Sequence, residues 1–305
     1  MNTPPHRRVI SYIGLTCLIS WALIGGAYVL GVPWEGTNMM LLGCVLMWIP
    51  GAVALLMERT SSPGRVKRAL RIGFRSNRWW VLAWLGAPTL TLLTIAVSML
   101  LPEHTIGHDP SVLVDKLASF ETEAQRAEAI ESIESLPISL FWIQLLQGLT
   151  MGGLITALFA TGEEIGWRGF LDREASHAGW GFWKSSLSIG ALWGIWHWPI
   201  IVQGHNYPQH PELGVALMVL FCMGMAPLMT FVTRMGGSVL AAGLAHGTLN
   251  ATAPLPMMVV LGGNDLTVGI ASLNGLAVLL LANLALIPLV NRYADRLQTF
   301  WRDDD

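Results

Sequence analysis

Charge is what this sequence has least of. Asp, Glu, Lys and Arg make up 12% of its 305 residues, roughly half the share of a soluble globular chain. With 53% hydrophobic residues and a mean hydropathy of +0.52, there is too little polar surface to face water, so lipid must solvate most of the chain. Cysteine is scarce as well. Cys17, Cys44 and Cys222 each fall inside an apolar run, and an odd number without paired spacing excludes a disulfide framework or a zinc knuckle. There is no basic stripe interleaved with aromatics and no phosphate-cradling glycine loop, so nucleic acid is not an expected partner. No H-E-x-x-H helix occurs, which removes the zinc-protease signature. Neither an internal repeat nor a low-complexity linker divides the chain, so residues 1–305 read as a single integral membrane domain.

What the sequence does have is apolar stretches of about 20 residues, the length needed to cross a bilayer as a helix. Eight are present, at 9–30, 38–57, 79–101, 138–160, 184–202, 213–232, 237–260 and 266–290. The first follows Arg7 and Arg8 but exceeds the roughly 7–15 residues of a signal-peptide core, and reads as a retained span. The expected fold is therefore all-α, a polytopic bundle of about eight transmembrane helices. Seven arginines and lysines crowd residues 59–78, between the second and third spans. With both termini on that same side, all but Lys116 and Arg126 of the 18 basic residues share one face, which the positive-inside rule makes cytoplasmic. The long acidic loop at 102–137 lies opposite. There Leu113, Leu117, Phe120, Ala124, Ala127 and Ile130 repeat at helical spacing after the turn signal Asp109-Pro110-Ser111, predicting an amphipathic helix on the membrane surface.

A charged side chain within a bilayer costs roughly 2.5–3.5 kcal/mol on insertion scales and usually serves function. Such residues gather at three places. The fourth span ends in Glu163-Glu164-Ile165-Gly166-Trp167-Arg168, the fifth carries His197 before Pro199, and the seventh carries His246 and Asn250. Glu164 and Arg168 are four apart and can pair. Adjacent Glu163 and Glu164 point about 100° apart, so at most one easily faces a central cavity while the other is free to hold a neighbour. Pro199 lacks an N–H and favours a bend beside His197. Any one of these residues could be interhelical glue, but two carboxylates, two imidazoles and an amide on three spans are lavish for glue. A carboxylate that takes a proton from water beside imidazoles is equipment for hydrolysis. His246 and Asn250 could stabilise an oxyanion. The alternative is zinc held by Glu164, His197 and His246 with an open position for water. The other six histidines, His6, His104, His108, His177, His205 and His210, read as solvated loop or tail residues.

These motifs, in this order, resemble the CAAX-protease and bacteriocin-processing family, which includes the Ras-converting CAAX prenyl endopeptidase. Its E-E-x-x-x-R motif is matched by Glu163, Glu164 and Arg168. Its F-x-x-x-H motif is met by Trp193 and His197, with Trp in place of Phe, and its H-x-x-x-N motif by His246 and Asn250. The resemblance implies a catalytic core at about 138–253 and intramembrane endopeptidase activity from the cytoplasmic side. It further implies a glutamate that activates water with help from His197, an oxyanion held by His246 and Asn250, and no cofactor, with zinc the alternative. The implied substrate is a membrane-associated peptide or lipidated protein. Two other classes fit the composition: a non-enzymatic scaffold or bacteriocin-immunity protein, and a proton-coupled transporter, although the sequence shows no repeated halves of the kind many transporters have.

The orientation is open to a direct check. An impermeant thiol reagent applied to intact cells should label Thr122→Cys in the acidic loop and leave Ser76→Cys in the basic loop untouched; the reverse pattern would invert the topology.

Overall fold

In a computed structural model, which describes residues 5–61, 64–117 and 122–302, the chain is almost wholly helical. The bundle is built from α1 (Pro5–Val29), α2 (Gly36–Ser61), α3 (Trp79–Ser98), α4 (Leu140–Leu149), α5 (Met151–Glu164), α6 (Phe182–Trp196), α7 (Pro211–Gly236), α8 (Val239–Thr252) and α9 (Leu273–Arg292). α5 does not stop at the glutamates. It runs on through a π-helical turn, Ile165–Leu171, into Asp172–His177.

The expected count of eight spans is not supported. Among the described residues five helices, α1, α2, α3, α7 and α9, are long and apolar enough to cross a membrane. A sixth is added if α4 and the extended α5 rod, bent by 53°, count as one. The break lies at Thr150, whose backbone (φ −124°, ψ −120°) is not helical. α6 and α8 fall short because proline interrupts both stretches. α6 ends at Trp196, beside the expected bend at Pro199, and a separate turn, Trp198–Ile201, follows. α8 ends at Thr252, two residues before Pro254. At 1.5 Å per residue these helices are about 22 and 21 Å long, against about 30 Å of hydrocarbon. They are viable because they lie within the bundle: α8 packs against α5 and α3, and α6 against α7.

Close helix approach makes this arrangement work. Lipid tails are as apolar as leucine, so helices in a membrane associate by tight packing, and small residues permit it. Gly162 and Gly166 bracket the glutamate pair, Gly190 and Gly194 bracket Trp193, and Gly243 and Gly247 bracket His246. A methyl group on Gly247 would sit 2.3 Å from the backbone nitrogen of Ala157 in α5, and one on Gly194 would sit 2.4 Å from Val219 Cα in α7. Outside the bundle, exposed Leu18, Tyr28, Leu56, Leu158, Leu220 and Leu280 form the lipid-facing surface.

The acidic loop differs from expectation. It holds two helices, Pro110–Leu117 and Glu123–Glu134, in place of one amphipathic helix. Phe120 and Glu121, part of that expected helix, lie outside the described residues. The second helix buries nothing and starts at a capping box between Thr122 and Gln125. Arg126 joins the two through a bidentate contact to Asp115, at 2.7 and 2.8 Å. The first helix docks on the bundle, with Leu113 buried against Ile95, Leu255 and Met258. A short antiparallel pair, β1 (Thr105–Ile106) and β2 (Val260–Leu261), ties this loop to the chain beyond α8.

The packing account sets a stability test. Gly247→Ala should destabilise the protein by about 1–3 kcal/mol through overpacking. Gly25→Ala, with open space around it, should leave the thermal midpoint in detergent unchanged or slightly raised.

Candidate active site

α5 brings the glutamates to the middle of the bundle, and the π-turn follows them directly. Wide turns of this kind are concentrated at functional sites because they shift the register of the side chains they carry. The two carboxylates separate as their 100° offset requires. Glu164 faces the interior and is fully buried. Arg168 Nη1 lies 3.0–3.1 Å from its two oxygens, and His246 Nδ1 donates to Oε1 at 2.8 Å. Glu163 faces a cavity of about 470 Å³, where the indole N–H of Trp193 donates to Oε2 at 2.6 Å.

Trp193 organises the rest. The Arg168 guanidinium lies over its ring at 4.6 Å, and His246 meets it edge-on at 5.2 Å. Its backbone carbonyl accepts from His197 Nδ1 at 2.8 Å. A carbonyl can only accept, so the His197 proton sits on Nδ1 and Nε2 carries the lone pair. At this position a phenylalanine would keep an aromatic wall; the tryptophan adds a donor to the glutamate.

Five of the six expected residues therefore form one connected group: Glu163 and His197 through Trp193, and Glu164, Arg168 and His246 directly. Asn250 stands apart. It lines the same cavity one helical turn beyond His246 and is exposed. The zinc alternative fits poorly as the side chains are placed. Glu164 is committed to Arg168 and His246, and among the described residues no three His, Cys, Asp or Glu side chains converge to hold a metal ion.

Two expectations about the surroundings are corrected. A fourth span ending at Ala160 would leave the glutamate pair at the basic-loop end, the cytoplasmic side from which the resemblance implies activity. The helix continues to His177, so the pair lies deep, and the cavity reaches instead to the loops holding Trp34, His205 and Asn206. Not every loop histidine is solvated, either. His104 is 5% exposed, with Nδ1 2.9 Å from the Ser98 carbonyl. His210 pairs with Asp265, and His205 Nδ1 accepts from Trp34 Nε1 at 3.2 Å. Burial pushes the His205 imidazole down to about 4, so it is the neutral acceptor this bond requires. Nothing local in the sequence marks His205, because its partner is 171 positions away.

A larger groove of about 630 Å³ lies between α3, α7 and α9, but its lining is almost wholly apolar and contains none of these groups. The polar cavity is the candidate site.

Comparison with known proteins bears on this same stretch. Residues 141–252 match the family model of Type II CAAX prenyl endopeptidase Rce1-like proteins. This stretch is similar to the Rce1-like domain. It contains Glu163, Glu164, Arg168, His197, His246 and Asn250, and the match supports a CAAX-type intramembrane protease, a hydrolase, at the level of the family. No curated protein matches the chain. With five or six helices apolar enough to span among the described residues, the chain is a multi-pass integral membrane protein.

The Trp193 contact generates its own test. Hydrogen bonds to charged groups contribute about 1.5–3 kcal/mol. Trp193→Phe, which keeps the ring and removes the donor, should therefore lower kcat on a cleaved peptide by roughly tenfold or more with little change in KM. An unchanged kcat would make the indole a packing group only.

Proposed function

We propose that this protein is an intramembrane endopeptidase that hydrolyses a peptide bond of a membrane-bound or lipid-linked substrate, using a water activated by Glu163. The observation that carries the reading is the division of labour between the glutamates. Glu164 is occupied by a cation and an imidazole, whereas Glu163 presents its carboxylate to the cavity.

In this mechanism a water enters the cavity beside Glu163, with His197 Nε2 as the second acceptor that orients it. Glu163 takes one proton as the water oxygen bonds to the carbonyl carbon. The carbonyl oxygen becomes an oxyanion, held by the Nε2–H of His246, acting as an imidazolium whose Nδ1–H stays on Glu164, and by the amide of Asn250. Collapse of the intermediate re-forms the carbonyl and breaks the C–N bond, and the proton on Glu163 passes to the leaving nitrogen. Arg168 and Glu164 hold His246 in the orientation that aims it at the oxyanion. Trp193 fixes the base through its indole N–H and His197 through its backbone carbonyl, so both reacting groups hang from one residue. The basic loop and the helix ends beside it lie in the cytoplasm, in accord with the positive-inside rule.

Glu163→Gln should abolish cleavage through loss of the base. Glu164→Gln should be severely impaired through loss of the Arg168–His246 framework. Asn250→Ala should lower kcat by roughly 10²–10³ if it supplies an oxyanion donor. The purified protein should lack stoichiometric metal and keep its activity under a strong chelator. Inactivation by chelator, reversed by zinc with one ion per active chain, would overturn the metal-free mechanism; full activity of Glu163→Gln would overturn the assignment of the base.

A further inference from the structure

We infer that the catalytic cavity opens on the membrane face opposite the basic loop, so that the scissile peptide is presented from the non-cytoplasmic side. The inference rests on the peptidase reading above and on the positive-inside orientation, and it concerns which substrates can reach the site.

The direction follows from which residues line the cavity on each helix. On α5 they are Thr156, Phe159 and Glu163, stepping back from the glutamate toward the helix start. On α8 they begin at His246 and continue through Leu249 and Asn250 toward the helix end. On α2 they fall between Met39 and Met47, in its first half. These three helix ends lie together at one end of the bundle. α2 runs from the Trp34 loop to the basic loop, so its start is remote from residues 59–78. α8 starts next to the basic loop, where Asn77 donates to the carbonyls of Met235 and Gly236, so its end is remote as well. The α5 start is placed there by Gly148, which abuts Thr252 at the end of α8.

Toward the basic loop, buried side chains fill the bundle among the described residues. Tyr12, Trp167, Arg168 and Phe170 lie beneath the glutamates, all 0% exposed. A methyl group on Gly166 would meet the Tyr12 hydroxyl at 2.1 Å, so no channel passes between α1 and the π-turn. Below them Arg234 grips Asp172 through two bonds of 3.0 and 2.6 Å. Trp301 Nε1 adds a third at 2.8 Å, which fastens the C-terminal segment across that end. Arg173 is likewise held by Glu58 at 2.6 Å and Glu174 at 2.9 Å. Water and substrate have a route past Asn250 and Asn206, both exposed, while among the described residues these buried side chains stand between the cavity and the basic loop.

The lining also constrains the chemistry of the substrate. Glu163 is the one Asp, Glu, Lys or Arg among the described lining residues, and the walls are largely Met, Phe, Leu and Trp. Such a cavity offers no lysine or arginine for a free C-terminal carboxylate. It suits an uncharged, apolar stretch of a membrane-anchored peptide whose scissile bond lies on the outer side of the bilayer, which requires prior export of that segment. A protein lipidated at its C-terminus in the cytoplasm would present its bond to the closed end.

Cys44 lines the cavity and reports its access directly. In a Cys17→Ala, Cys222→Ala background, a charged, impermeant methanethiosulfonate reagent added to intact cells should modify Cys44. Ser76→Cys, with Cys44→Ala added, should react only in inverted vesicles. Cys44 reacting only in inverted vesicles, or from neither side, would overturn the inference. Should the double replacement fail to fold, Asn206→Cys in the unmodified background gives the same readout against the unsubstituted protein. A pool of quenched fluorogenic peptides too polar to cross a bilayer then separates this inference from the peptidase reading. In oriented proteoliposomes, cleavage should occur only when the pool is added opposite the basic loop. Cleavage in detergent but only from the basic-loop side in liposomes overturns the sidedness and leaves the peptidase. No cleavage in detergent counts against the peptidase, while the Cys44 result still decides where the cavity opens.

Discussion

The structure of this site depends on the buried contact of Glu164 with Arg168 and His246. A carboxylate withdrawn from water in a lipid-solvated bundle must be paired, because an isolated ion there is too costly to keep. Removing one partner of such a pair costs about 3–5 kcal/mol, so the three side chains are bound to one geometry. α5 and α8 are thereby held in register with each other. Because Glu163 is the residue just before it on α5, its direction is set once Glu164 is committed inward. The carboxylate that faces the cavity owes its position to the one that does not.

Close packing makes that contact reachable. The pairs of glycines around the glutamates, Trp193 and His246 let α5, α6, α7 and α8 approach until backbone meets backbone. Large side chains at those positions would hold the helices apart, and the 2.6–2.8 Å bonds of Trp193 and His246 to the glutamates could not form. Trp193 then fills the space left between the helices, with its ring against Arg168 and His246 and its two polar groups on Glu163 and His197. The same economy governs the basic end, where buried ion pairs of Asp172 with Arg234 and of Arg173 with Glu58 and Glu174 close the bundle. These groups are charged but paired with one another, which separates them in kind from the cavity above, where Glu163 meets open space.

Much of this was legible in the residues alone. Low charge and long apolar runs required a helical membrane protein, since only backbone satisfied within itself can cross lipid without a closed barrel. The intramembrane Glu, His, Arg and Asn residues marked a candidate site because their cost demands a reason, and five of them, Glu163, Glu164, Arg168, His197 and His246, come together in the bundle. Helical spacing paired Glu164 with Arg168 and required the two glutamates to diverge. Proline placed the break beside His197. Those inferences succeed because they depend on composition or on contacts within one helix, where position in sequence is position in space.

What only the tertiary structure decided depends on contacts between distant segments. Which glutamate turns to the cavity follows from His246, 82 positions from Glu164. The indole donor on Glu163 is 30 positions away, and the Trp34 and His205 contact joins loops that no periodicity links. Hydropathy cannot distinguish a helix that crosses lipid from a shorter one sheltered by neighbours, so eight apolar stretches gave, among the described residues, five or six helices able to span. The end at which the cavity opens was also hidden. An apolar window ends where charge begins, whereas the α5 rod carries its charges onward to His177, because Glu58, Glu164, Asp172 and their arginine partners neutralise one another inside the bundle.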